Sequence, residues 1–451
     1  MTVRELGGLL RARKLSCLEL IEQTFSDIRA RDSFGCFITL MENEAHERAK
    51  VLDAELASGK DRGPFHGIPI AHKDLFYTRG VRTTGGSLVF RDFVPQYDAT
   101  VVERLNAAGA ITVGKTNQHE LAYGITSQNP HYGAVLNPLD TNRIPGGSSG
   151  GSAAAIAAGF LPMALGTDTG GSIRIPASYC GITGLKPTYG RVSRFGVLPL
   201  ASSLDHVGPL GFTVEDCALA MNVIAGPDRR DASCARREAP EFNLPPLSDL
   251  KGLRAGLPRN FFFDRVDAEV ADAVHKSARA LQQLGAQIAE IEIPDLDQAN
   301  VVARMVQLPE VAAVYAQYTD PAQFGSDVWA LLEQGRMISG YEYVNAQRMR
   351  TLFRRQFDEV WKSVDVLLCP ATPVTAPLRN QRTVRINGHE EDTRMASTRL
   401  VRAVNLLGEP ALSMPCGVSR TGLPIGLQMI GSPFSEPRLL QVARMLEGCR
   451  D

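Results

Sequence analysis

Pro145-Gly146-Gly147-Ser148-Ser149-Gly150-Gly151-Ser152 leads into Ala153-Ala154-Ala155-Ile156-Ala157-Ala158, and Gly166-Thr167-Asp168-Thr169-Gly170-Gly171-Ser172-Ile173-Arg174 follows shortly after. Glycine leaves backbone N–H groups unscreened, which is how proteins build a site for developing negative charge, and serines stand among them here. The alanine-rich stretch between the two runs is apolar and helix-forming. The glycines are therefore not a flexible linker, and the whole stretch must be packed.

Outward from this stretch, helices alternate with short apolar strands. Ser16 and Glu19 form a capping-box pattern ahead of Leu20, Ile21 and Phe25, so a helix starts there. Val101, Val102 and Leu105 set a helical period over 98–108, closed by Gly109 before the apolar run Ala110-Ile111-Thr112-Val113. The grammar recurs over 266–294, where Val270, Val274, Leu281 and Leu284 precede Gly285 and then a strand. A further apolar run, Val364 to Leu368, stops at Cys369-Pro370, and a late helix starts from Ser435. Alternation of this kind predicts an α/β fold. The polar segment 375–400 lacks a clear period and reads as a long loop forming a lid or pocket wall.

No linker or charge block divides the 451 residues, so 1–451 reads as one large domain carrying insertions. Lys+Arg 48 against Asp+Glu 49 gives a formal net charge of −1 with no basic run, which implies neither a nucleic-acid nor a membrane surface. The eight cysteines are scattered without a C-x-x-C pair or metal-ligand spacing and read as reduced, mostly buried thiols. The N-terminus lacks a signal-peptide apolar core, and no stretch approaches the roughly 18 apolar residues of a membrane span. A soluble cytoplasmic protein is expected.

Three motifs compete for the chemistry. Gly109-Ala110-Ile111-Thr112-Val113-Gly114-Lys115-Thr116 matches a P-loop letter for letter, but a helix precedes the first glycine and a strand lies between the two, the reverse of what phosphate binding needs. Gly146-Gly147-Ser148-Ser149-Gly150 satisfies the nucleophile-elbow pattern, yet a turn (140–145) rather than a strand precedes it, and His206, His275 and His389 carry no surrounding signal. The third constellation needs no histidine: Lys73, Ser148 and Ser172. Ile68, Pro69, Ile70 and Leu75 draw Lys73 toward the core, where desolvation disfavours its charged form and makes it a proton acceptor near neutral pH.

These residues resemble the amidase signature family. The likeness runs through Lys73, Gly114-Lys115-Thr116-Asn117, Asn137-Pro138, the block from Pro145 to Pro209, and Gly422-Leu423-Pro424-Ile425-Gly426-Leu427-Gln428. It implies a mixed, twisted central sheet covered by helices on both faces. The catalytic core falls at about 60–215, and variable pocket segments at about 230–350 and 375–400. Carried over by motif, Lys73 is the base, Ser148 a bridging serine after a cis peptide and Ser172 the nucleophile. Backbone N–H groups of Thr169, Gly170, Gly171 and Ser172 form the oxyanion hole. Asp168 and Arg174 hold the nucleophile loop, and Ser149 hydrogen-bonds within its own loop. The arrangement is a Ser-Lys variant of nucleophile, base and orienter.

The resemblance fixes chemistry more sharply than substrate. It implies an amidohydrolase for small or aryl amides, with carbamates and esters as further acyl substrates, and no metal or organic cofactor. The alternative is the glutaminase A subunit of a tRNA-dependent amidotransferase, which would work with partner subunits. Such glutaminases hold free glutamine by an arginine and an aspartate. Arg350 matches the arginine, but the aspartate position falls at Thr398, which has no charge to offer an ammonium group. Tyr123 and Gly124 are candidate substrate-binding residues, with Leu308, Tyr315 and Phe324 as further apolar candidates. The partner expected is a small amide; homo-oligomerisation is left open.

Overall fold

The computed structural model describes residues 1–449. Fifteen strands are formed among them: β1 Phe37–Leu40, β2 Pro69–Lys73, β3 Ile111–Thr116, β4 Gln128–Asn129, β5 Gly133–Ala134, β6 Met163–Asp168, β7 Thr183–Lys186, β8 His206–Gly211, β9 Arg254–Pro258, β10 Gln287–Ile291, β11 Val366–Pro370, β12 Thr383–Ile386, β13 His389–Asp392, β14 Ala411–Val418 and β15 Pro424–Gly431. Eleven of them make one mixed sheet in the order β1-β3-β2-β6-β8-β7-β14-β15-β11-β9-β10. Parallel pairs (β3·β2·β6 and β11·β9·β10) flank an antiparallel centre running from β8 to β15. Every residue of β2, β3, β6, β8 and β15 is buried. Since successive side chains point to opposite faces, both faces of this part of the sheet are covered.

The expected elements form for the expected reasons. Ser16 caps the helix Cys17–Arg31 in a reciprocal box with Glu19, and its apolar face buries Leu20, Ile21 and Phe25. Thr100–Ala107 buries Val101, Val102 and Leu105, ends at Gly109 and feeds β3, so the P-loop look-alike is a helix end and a strand. Ala268–Gln283 precedes β10, and Glu436–Glu447 follows Ser435. Six of the eight cysteines are buried as free thiols. No helix among the described residues is long and apolar enough to cross a membrane.

The segment 375–400 departs from the loop expectation. It holds the hairpin β12–β13 and the first half of the helix Thr393–Leu407. Val384 and Ile386 alternate inward between exposed Thr383 and Arg385, and Asn387-Gly388 makes the turn with φ of 49° and 85°. Asp392 then caps the helix by accepting from the Met395 N–H at 2.9 Å. Four-residue strands are too short for period alone to reveal, and the helix is polar by composition because it carries buried Arg399 and Arg402 and half-buried Arg394.

Candidate active site

Lys73 is the last residue of β2, opposite Thr116 of β3. Its strand is buried on both faces, so the side chain has no route to water and is 0% exposed. Nζ donates to Ser148 Oγ at 2.7 Å and to Thr167 Oγ1 at 3.0 Å. Burial pulls the ammonium down to about 7, against the opposing pull of Asp168 and Asp205. A buried lysine with two hydroxyl partners and no bonded carboxylate is poised to exchange a proton near neutral pH.

Ser148 follows a cis Gly147–Ser148 peptide and precedes the helix Gly150–Ala157, whose first turn is buried. Ser152 on that helix bonds Thr116 Oγ1 (2.7 Å) and donates to the Leu165 carbonyl (3.0 Å), fixing it against β3 and β6. Ser149 Oγ donates to the Thr167 carbonyl at 3.2 Å, and its N–H donates to the Ser172 carbonyl at 3.3 Å. Ser149 thus ties its own loop to β6 and to the loop carrying Ser172.

That second loop leaves β6 at Asp168 and enters the helix Arg174–Cys180. The Asp168 carboxylate accepts from the Gly171 N–H (2.7 Å), the Ile173 N–H (3.1 Å), and Arg174 Nε and Nη2 (3.0 Å each). Arg174 spends its remaining donors on Gln428 Oε1 (2.7 Å) and Asn405 Oδ1 (2.6 Å). Burial alone would raise the Asp168 carboxyl; the Arg174 guanidinium more than offsets this and holds it well below the usual carboxylate range. Gly171 sits at φ 118°, and a Cβ there would meet Val401 Cγ2 at 2.4 Å, so the turn admits only glycine.

The N–H groups of Thr169, Gly170 and Ser172 have no hydrogen-bond partner among the described residues, whereas that of Gly171 is already given to Asp168. Three of the four N–H groups named from sequence are therefore free for a ligand. His206 pairs with Asp168 across β8 and β6; its Nδ1 lies 2.6 Å from the Leu204 carbonyl and 3.1 Å from that of Asp168. Burial and Lys186 hold it neutral. No histidine bonds Ser148 or Ser172 among the described residues, which leaves the Ser-His-Asp arrangement without its base.

Ser172 lines a recess of about 330 Å³ together with Ala122, Tyr123, Gly124, Thr169, Gly170, Arg394, Thr398 and Arg402. A second cavity of about 710 Å³, containing Thr167, Asp205 and His206, shares Ala122, Thr169 and Leu200 with it. Gly124 packs on the His119 ring so closely that a Cβ would lie 2.1 Å from Nε2. Arg350 is not among the residues of either cavity: its guanidinium donates to the carbonyls of Leu406 (2.7 Å) and Ser203 (2.9 Å). Leu308, Tyr315 and Phe324 pack into the hydrophobic core. Sequence reading missed Thr167, Asn405, Gln428, Arg394 and Arg402. The helix Thr393–Leu407 did carry a signal, because Arg394, Thr398, Arg402 and Asn405 recur at helical spacing on one face.

The chain is 41% identical to the A subunit of the glutamyl-tRNA(Gln) amidotransferase of Geobacillus thermodenitrificans (strain NG80-2), over 100% of this chain and 97% of that one. A solved structure described as a crystal structure of amidase superposes with TM-score 0.92 at 34% identity, covering 100% of both chains. Another, described as a vestigial protein complex revealing the origins of an s-triazine catabolic enzyme, superposes with TM-score 0.95 at 35% identity over 100% of this chain and 98% of its own. The family model for amidases matches residues 19–440, a span that holds the buried lysine, both glycine-rich loops and the strand carrying Gln428. By sequence and fold alike, the chain belongs to the amidase signature family of hydrolases acting on carbon–nitrogen bonds.

Proposed function

We propose that the protein hydrolyses small amides through an acyl-enzyme on Ser172, with Ser148 as proton bridge and Lys73 as base. The observation that carries this reading is the 2.7 Å hydrogen bond from fully buried Lys73 to Ser148 Oγ, one loop away from a serine that opens on a recess. Neutral Lys73 takes the Ser148 proton, Ser148 takes that of Ser172, and Ser172 Oγ attacks the carbonyl carbon. The carbonyl oxygen becomes an oxyanion, for which the free N–H groups of Thr169, Gly170 and Ser172 are the donors at hand. One such donor is typically worth about 3 kcal/mol of barrier. Ser148 then passes a proton to the departing amine as the C–N bond breaks. Water enters by the reverse relay and releases the acid. Thr167 Oγ1, 3.0 Å from Nζ, keeps the lysine aimed through the cycle. The same acyl chemistry extends to carbamates and esters.

A second reading, the glutaminase subunit of a tRNA-dependent amidotransferase, is favoured by the 41% identity to such a chain over nearly its whole length. Against it, the recess at Ser172 presents two arginines and no carboxylate for the ammonium of glutamine, with Thr398 in its wall. The deciding experiment is release of nitroaniline from a nitroanilide and of ammonia from glutamine by the purified chain alone, with Ser172→Ala as control. Anilide turnover that the variant loses supports the stand-alone hydrolase. Turnover of glutamine only, or only with added partner subunits, supports the second reading, and turnover retained by Ser172→Ala removes the nucleophile assignment.

A further inference from the structure

Among the described residues, the other buried arginines have partners. Arg174 forks onto Asp168, Arg350 and Arg399 donate to backbone carbonyls, and Arg191 lies 3.5 Å from Glu436. Arg402 is the exception. It is 6% exposed, and its side chain makes no hydrogen bond or ion pair among the described residues, with Nε buried and unpartnered. Burial and the like charges of Arg394 and Arg304 pull its guanidinium down to about 9, opposed by Tyr123, while Asp297 and Glu391 of the cavity on its other side are paired with Arg265. The Arg394 side chain also has no hydrogen bond among the described residues; its guanidinium lies 5.6 Å from the Tyr123 ring centroid. The Tyr123 hydroxyl is a further buried polar atom without a partner.

Both arginines and Tyr123 line the recess at Ser172. A Cβ on Gly170 would lie 3.9 Å from Arg402 Nε, so the guanidinium stands beside the loop of free N–H groups. Asp327, the carboxylate nearest in charge to Arg394, is engaged by His119 at 3.0 Å. Leaving a buried arginine unpaired is costly, and a cavity whose walls offer donors without a matching anion is complementary to one that arrives with the substrate.

Resting on the amidase reading above, we propose that the substrate carries a carboxylate, bound by Arg402 and Arg394, a short spacer away from the scissile amide. Arg402 stands against Gly170 on the nucleophile loop, so the charge lies close to the reacting carbonyl and the fitting class is a short amide acid: either the monoamide of a dicarboxylic acid, with the charge on the acyl side, or an N-acyl amino acid, with the charge on the amine side.

The test compares each acid with a neutral partner of like size: succinamic and glutaramic acid against butanamide and pentanamide, and N-acetylglycine against N-propylacetamide. In one of the two sets the acid is expected to lead in kcat/KM by roughly a hundredfold, the scale of a buried charge-assisted pair. Arg402→Gln and Arg394→Gln should collapse that ratio toward one, mainly through KM, while Arg402→Lys keeps part of it. Melting curves of each variant separate this from misfolding. Equal turnover of acids and neutral amides overturns the proposal, as does an Arg402→Gln loss that is the same for both, which would assign Arg402 to the oxyanion. Calorimetric titration of Ser172→Ala with succinamate and N-acetylglycine gives a readout without turnover. Binding that weakens more than tenfold in the Arg402→Gln background supports the carboxylate site even if the triad assignment fails. No binding of either probe overturns it.

Discussion

Lys73 has only hydroxyl partners and lies in a strand that water does not reach, so its protonation state sets the rate under the proposed mechanism. The sign follows from the shift. Burial brings the pKa from 10.5 to about 7, and the base form is the neutral amine. Activity should therefore rise with pH through about 7 and level off above it, rather than climbing toward 10 as an exposed lysine would require. Lys73→Ala should lower kcat by several orders of magnitude and leave residual activity that increases with hydroxide. A kcat profile with an unchanged inflection near 7 in that variant would show that another group is titrating. Ser172→Ala should abolish turnover with an unchanged melting temperature, since its hydroxyl opens on the recess and carries no fold contact.

At the scale of elements, the loop between β6 and the helix Arg174–Cys180 is held by a single carboxylate that gathers two backbone N–H groups at close range and one bidentate guanidinium. Asp168→Asn keeps the shape but strands the Arg174 charge at 0% exposure. It should cost about 3–5 kcal/mol, the scale for breaking a buried pair from one side, and displace Ser172 as well. Denaturant midpoint and activity measured together check this; a stable, active variant would show that the loop is held by the glycine turn alone. This element also shows what can be read from a sequence. The glycines, serines, Asp168 and Arg174 are contiguous, so their pattern is visible in one stretch. Asn405 and Gln428 complete the same cluster from 231 and 254 residues further along, and nothing in their own stretches ties them to Arg174. The helix Thr393–Leu407 was hidden for a different reason. Inward-facing Arg394, Thr398 and Arg402 make a buried face look like a solvated one, and the Asn387-Gly388 turn ahead of it joins strands of four residues each.

Over the whole molecule, the α/β architecture was legible because helix ends, capping boxes and apolar runs are short-range signals that repeat along the chain. Strand order was not. The sheet places β14 and β15 between β7 and β11, an arrangement that depends on pairing across more than 200 residues. The choice between an amidotransferase component and a free-standing hydrolase also belongs to this scale. Under the proposed reading the chain alone should release ammonia from small amides with glutamine a poor substrate, because the recess lacks a carboxylate for its ammonium. If added partner subunits raised glutaminase activity by orders of magnitude while simple amides stayed inert, that reading would fall.

The central position of β14 and β15 has a consequence for how the protein comes to be active. The nucleophile loop and the lysine strand are made well before Asn405, the two sheet-centre strands and Gln428, which lie 231 residues and more beyond Arg174. Until they do, β7 is an open edge and Arg174 lacks two of its acceptors, so a nascent chain still on the ribosome carries every residue of the proposed triad without the support that holds it in place. Hydrolytic competence should therefore wait for these later residues, so that the order of synthesis itself keeps the serine idle until its brace has emerged.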